Sequence, residues 1–172
     1  VARSGWIHIV TVFCGIDPGI TGGIAFELPN GIHAEDLPTR NNELEPVVLA
    51  QILERYKPDI AVLEEAQSFK GQGIASTFRY GQAFGTIIGV LGALSIPIHR
   101  VRPQTWKKDM GLPPAPEELT ASKKTAWRKA QAIALADELF PNDQWQWPLK
   151  KHNHRVEALL IADWGRRTHV HL

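Results

Sequence analysis

The chain has 172 residues, which suits one domain with a sizeable core. Its composition is that of an ordinary globular protein, and its net charge of +1 at pH 7 points by itself to no strongly acidic or basic partner. The lone cysteine, Cys14, excludes an intramolecular disulfide and suits a reducing compartment.

Residues 10–16 form an apolar, β-branched run and are expected to be a strand. The run ends in Asp17, followed by the turn signal Pro18-Gly19. A carboxylate at the tip of a buried strand is costly unless a cation lies beside it. Asp17 is therefore the first candidate for chemistry, and a metal ion is the first candidate for its partner. Residues 23–28 read as a second strand, Pro29-Asn30-Gly31 as a hairpin turn, and residues 32–37 as a third strand. Residues 45–56 carry helical spacing through Val48, Ile52 and Leu53. Lys57-Pro58-Asp59 breaks that helix, and residues 60–64 form a buried strand ending in Glu64 and Glu65.

Residues 68–73 read as a loop and residues 77–94 as a helix. Gly81, Gly85 and Gly89 recur every four residues on that helix. The bare stripe fits either tight packing onto the sheet or a helix pair across a dimer. The neighbouring apolar run, residues 82–98, is short and broken by glycines and Pro97, so no membrane span is expected. Residues 96–101 are a further strand, residues 102–110 a short helix or loop, and residues 113–116 a proline-rich exposed loop. Residues 125–140 form an amphipathic helix, Trp145-Gln146-Trp147-Pro148 is irregular, and residues 155–167 form the last helix. Three antiparallel strands followed by helix–strand alternation argue an α/β fold, with a mixed sheet and helices on its faces.

Ligand sites in such sheets lie outside the carboxyl ends of the parallel strands, which is where Asp17 and Glu64 fall. The start of the last helix supplies His152, Asn153, His154 and Glu157. His154 and Glu157 are three residues apart and Asn153 and Glu157 four, so all three can share one face. Asp163 turns off that face and is expected to be a surface residue. An oxygen-rich set with one histidine suits Mg²⁺ or Mn²⁺, and two such ions can activate a water and stabilise a leaving phosphodiester oxygen. Charge is also unevenly spread: residues 1–99 carry −4 and residues 100–172 carry +5. A basic half beside acidic site residues fits a polyanionic substrate, although solvated helix faces account for charge as well.

Five stretches, in order, carry a family resemblance: Gly15-Ile16-Asp17-Pro18-Gly19, Val62-Leu63-Glu64-Glu65, Arg102-Pro103-Gln104-Thr105-Trp106-Lys107, Glu138-Leu139-Phe140-Pro141, and Arg155-Val156-Glu157-Ala158-Leu159-Leu160-Ile161-Ala162. The chain resembles the RuvC-like Holliday junction resolvases of the RNase H-like superfamily, including their phage and organellar branches. The resemblance implies an RNase H-like mixed five-stranded sheet with helices on both faces. It implies one nuclease domain over residues 1–172; residues 1–8, which open without an initiator Met, are read from the sequence as a disordered or appended tail. The implied activity is metal-dependent, symmetric hydrolysis of four-way DNA junctions by a homodimer, with two Mg²⁺ ions per active site and Mn²⁺ as a substitute. The implied location is intracellular: a bacterial or phage-infected cytoplasm, or an organelle matrix.

By the same resemblance, Asp17, Glu64, His154 and Glu157 are the metal-binding and catalytic set, with Lys107 near the scissile phosphate. Asn153 or His152 could stand in for His154. Lys129 or Lys124 could be a second active-site lysine. Phe69 is expected to stack on an unpaired base at the junction centre, and Gln72 to read a base edge. Lys70, Arg79, Arg102, Lys108 and Arg155 are further candidates for DNA contact. The competing functions are a related nuclease on other branched DNA or RNA–DNA hybrid, a catalytically impaired junction-binding protein, and a single lobe of an actin-like kinase.

Overall fold

The computed structural model describes residues 11–65 and 73–168. The expected tail over residues 1–8 lies outside the described residues.

Five strands make the main sheet: β1 (Phe13–Asp17), β2 (Gly23–Leu28), β3 (Gly31–Asp36), β6 (Ile60–Glu64) and β7 (Ile98–Val101). Their spatial order is β3-β2-β1-β6-β7. The β3-β2-β1 half is antiparallel, while β6 pairs in parallel with both β1 and β7. The remaining strands, β4 (Thr39–Arg40) and β5 (Glu43–Leu44), form a small separate hairpin. Asn41 and Asn42 turn it at positive φ, 53° and 61°. Asn tolerates that region and suits a two-residue hairpin loop, a signal not used in the sequence reading.

Alternation along the strands feeds two cores. Cys14, Ile16, Ile24, Phe26, Ala61 and Leu63 face one side, where they meet α1 (Pro46–Tyr56) and α2 (Ile74–Ala93). Phe13, Ala25, Ile60, Val62 and Val101 face the other, with α3 (Pro103–Asp109), α4 (Ala121–Leu139) and α5 (Asn153–Arg167). The five-stranded mixed sheet with helices on both faces is thus present. Covering both faces explains why β1 and β6 are apolar up to their closing acids rather than alternating with polar residues.

Three helices begin earlier than the sequence pattern predicts. The starts are Ile74 for α2, Ala121 for α4 and Asn153 for α5. The first turns are polar or exposed, so apolar periodicity does not mark them; for α4 the N-cap, Thr120, takes that place.

Two readings are corrected. The glycine stripe of α2 does not pack on the sheet: a Cβ at Gly81, Gly85 or Gly89 would meet no atom within 4 Å. The sheet side of α2 is Ala83, Ile87 and Leu91. Asp163 is not a surface residue but fully buried, ion-paired with Arg166 and Arg167. The assignment of Asp163 to the surface assumed one buried face on the last helix. Instead α5 lies across β1, β2 and β3 and under α3 and α4, so it is buried nearly all round.

What lets α5 lie so close is glycine on the sheet. A Cβ at Gly15 would fall 2.0 Å from the Ala158 carbonyl oxygen, and one at Gly23 would fall 2.2 Å from that of His154. Backbone touches backbone there, which only glycine permits.

Candidate active site

Asp17 and Glu64 end the neighbouring parallel strands β1 and β6 and are buried at the same sheet edge, 7% and 9% exposed. The close seat of α5 on β2 at Gly23 carries the first turn of the helix over that edge. His154 Nδ1 lies 2.5 Å from Asp17 Oδ2. One turn on, Glu157 Oε2 accepts a hydrogen bond from Lys107 Nζ at 2.8 Å. Lys107 arrives from α3, which places the fully buried Trp106 beneath the site. Its indole donates to Glu64 Oε2 at 2.6 Å, and the Lys107 ammonium sits 4.9 Å from the Trp106 ring centre.

The electrostatics match this crowding. Burial, and then the Glu157 charge, push the Asp17 carboxyl above its ordinary range, opposed by the His154 contact. Burial and the neighbouring Asp17 push Glu64 up to about 7, opposed by Lys107 and Trp106. Burial acts to lower the Lys107 pKa, but Glu157, Glu64 and Asp17 outweigh it and keep the ammonium charged. Burial likewise works against a charged His154, yet the bond and charge of Asp17 raise its pKa. Each carboxylate is therefore already met by one protein donor.

Two buried acids and a half-buried third, Glu157, repel one another, and such a set of oxygen donors fits a hard divalent cation. Among the described residues no three His, Cys, Asp or Glu side chains form a ready-made metal cluster. The carboxylate oxygens are instead turned toward Lys107, His154 and Trp106. Asp17, Glu64, Glu157 and His154 are the groups that would hold the ion, and a bound cation would relieve the repulsion that raises the pKa values of Asp17 and Glu64.

The three alternatives at the start of α5 separate clearly. Only His154 of the three touches Asp17. Burial and Arg155 lower the pKa of His152, which also feels Asp36, on β3. Asn153 is 2% exposed, and its Nδ2 has no partner among the described residues. Of the two candidate lysines on α4, Lys124 and Lys129, it is Lys129 that is close enough to oppose the charge on His154. Lys108 lines an open groove of about 830 Å³ beside Glu64 and Lys107, together with Gln104, Arg128, Pro113 and Pro114. Arg79 stands exposed on α2, and Arg102 pairs with Glu65 at 3.3 Å. Arg155 is engaged internally: it forks onto Asp36 at 2.7 and 2.8 Å and donates to the Gln146 carbonyl at 2.8 Å. The candidates Phe69, Lys70 and Gln72 lie outside the described residues.

Two neighbours of the site were not singled out from the sequence. One is Trp106, seen there only as part of a motif. The other is Tyr80 on α2, whose ring stands 3.6 Å from where a Gly19 Cβ would be. Burial, with the charges of Asp17 and Glu64, pushes its phenol pKa upward. A polar aromatic on the sheet-end side of a helix could have flagged it.

Acids at the ends of two parallel strands, in a mixed five-stranded sheet covered on both faces, define an RNase H-like α/β fold. Among solved structures the likeness is to RuvC. No family model and no curated protein matches the sequence. RuvC of Thermus thermophilus in complex with a Holliday junction substrate matches with a TM-score of 0.61 and 14% identity, over 92% of this chain and 96% of that one. A second Thermus thermophilus RuvC structure matches at 0.60 and 15%, over 92% and 97%. The yeast mitochondrial Holliday junction resolvase Ydc2 matches at 0.56 and 16%, over 95% and 80%. The fold of this chain is thus the RuvC form of the RNase H-like fold.

Proposed function

We propose that this chain is a single-domain, structure-selective endonuclease that resolves four-way DNA junctions by metal-dependent phosphodiester hydrolysis. The observation that carries this reading is the convergence of Asp17, Glu64, His154, Glu157 and Lys107 at one sheet edge of a RuvC-type fold. Asp17, Glu64, Glu157 and His154 would hold two Mg²⁺ ions, with Mn²⁺ as a substitute. Such ions lower the pKa of a bound water and neutralise charge on the phosphate being cut.

The chain's own groups do the rest. With Nδ1 donating to Asp17, His154 has one free lone pair, on Nε2, which either holds a metal ion or orients the attacking water and takes its proton. The charged Lys107 offsets negative charge at the phosphate. Two symmetric nicks need two such sites, so the working form is a C2 homodimer. The open glycine face of α2 is its proposed interface. Among the described residues no helix is long and apolar enough to cross a membrane, and the lone, buried Cys14 suits an intracellular enzyme.

The test is incubation with a labelled four-way junction and Mg²⁺ or Mn²⁺, beside Asp17→Asn, with plain duplex and RNA–DNA hybrid in parallel. Paired symmetric cuts by the wild type alone, on the junction alone, are expected. If neither metal supports paired cuts, or Asp17→Asn cuts equally well, the reading fails. Preferred cleavage of the hybrid would assign a different nuclease.

A further inference from the structure

Two tryptophans two residues apart, in the turn between α4 and α5, have opposite fates. Trp147 is 4% exposed and donates its Nε1 hydrogen to Asp137 Oδ1 at 2.9 Å. Trp145 is 71% exposed, and Leu149, four residues on, is 52% exposed. Single exposed apolar residues are ordinary and need no explanation. What sets this pair apart is how firmly the turn is held.

Between the two tryptophans lies Gln146, 4% exposed and bonded in several directions. Its Oε1 accepts from the Ala34 amide at 2.7 Å. Its Nε2 donates to the Ile32 carbonyl and to Asp143 Oδ1, both at 3.2 Å. Its own carbonyl accepts from Arg155 Nη1 at 2.8 Å. The backbone is pinned to β3 and α5, and the indole of Trp145 is held out in water.

Location and charge complete the picture. Arg155, which grips the Gln146 carbonyl, is the chain neighbour of His154, which touches Asp17. The turn is therefore tied to the first turn of α5, the helix that also carries His154. Lys150 and Lys151 follow Leu149 directly, and both are exposed. A rigid aromatic face with flanking cations matches the chemistry of nucleic acid: the ring stacks on a base, and the ammoniums meet phosphates.

We infer that Trp145 and Leu149 form a fixed apolar platform on which an unstacked base of the bound DNA rests, with Lys150 and Lys151 on the adjoining phosphates. This rests on the proposed junction nuclease and names a part of its substrate contact. Affinity of the full chain for a four-way junction, at several salt concentrations, tests it. Trp145→Ala should weaken binding roughly tenfold with the salt slope unchanged, because stacking releases no counterions. Trp145→Phe should recover most of the loss. Lys150→Ala with Lys151→Ala should instead flatten the slope of log K against log salt by up to about 2. A 2-aminopurine placed beside the branch point should be quenched by the wild type and not by Trp145→Ala.

Thermal unfolding should be the same for all, since the altered side chains stand in water. The inference is overturned if Trp145→Ala binds within about twofold of the wild type, given a stacking effect of the usual size. It is equally overturned if Trp145→Ala changes self-association and leaves DNA affinity alone, which would assign the platform to a protein partner. A wild type that binds junctions but never cuts them defeats the proposed function instead, and leaves these affinities decisive.

Discussion

Substituting Gly15 by Ala tests the contact that positions half of the candidate site. Gly15 lies in β1 and faces α5. The added Cβ would fall 2.0 Å from the Ala158 carbonyl oxygen, 2.5 Å from the Ala162 amide nitrogen and 3.0 Å from the Ala162 Cβ. The two closest atoms are backbone, so no rotamer change relieves them. The helix must retreat by about 1 Å or more at Ala158, the neighbour of Glu157 and about one turn from His154. Overpacking a core costs about 1–3 kcal/mol, and the upper end applies here because α5 is buried nearly all round. At roughly 2–4 °C per kcal/mol for a chain of this size, Tm should fall by about 5–12 °C. Cleavage should fall further, because a misplacement of about 1 Å can cost about a hundredfold in rate. The assays are thermal unfolding by circular dichroism and junction cleavage well below the transition. Gly92→Ala is the control: it lies in α2 with open space around it and should hold or raise Tm. If Gly15→Ala unfolds within about 1 °C of the wild type and cuts at the wild-type rate, the packing argument is wrong.

Four further outcomes are expected. Glu64 titrates near 7 when folded, against a usual value of 4.5, so the folded chain holds that proton more tightly. Stability in chelator should therefore decline as pH rises from about 4.5 through 7, on the order of 1–3 kcal/mol, and Glu64→Gln should remove that decline; parallel curves for the two proteins would contradict it. Lys129→Ala should slow cleavage and Lys124→Ala should not, because only Lys129 is near His154; single-turnover rates decide, and the reverse order would move the second lysine to Lys124. Arg155→Gln loses the bidentate fork and the charge and should cost on the order of 1–2 kcal/mol in denaturant unfolding with the DNA salt slope unaltered, whereas a slope reduced by about 1 would place Arg155 on a phosphate. Tyr80→Phe keeps the ring beside Gly19 but removes the hydroxyl near Asp17 and Glu64; cleavage should drop severalfold at constant Tm, and an unchanged rate would leave the hydroxyl without a part.

What could be read along the chain was whatever depends on near neighbours in sequence. Apolar runs ended by Asp17 and Glu64 declare strand tips and costly acids together, and a parallel pair brings such tips to one edge. The mixed sheet with helices on its faces followed from the order of strands and helices along the chain, whereas the spatial order of the strands is a tertiary fact. Helix starts without apolar residues, and the Asn41-Asn42 hairpin, escaped because their signal is a cap or a positive φ rather than a period.

By itself the sequence determined the acids, the mixed sheet that aligns them and the candidates on the last helix. Tertiary structure alone decided which candidates face the acids. The rotation and depth of α5 are set by Gly15 and Gly23 meeting its backbone, contacts between residues more than a hundred positions apart. That seat turns His154 onto Asp17, sends His152 toward Asp36 and buries Asp163 against Arg166. It also brings Lys107, with Trp106 beside it, from α3 to Glu157 and Glu64. Helical periodicity states which residues share a face, but only packing against another element states what that face meets.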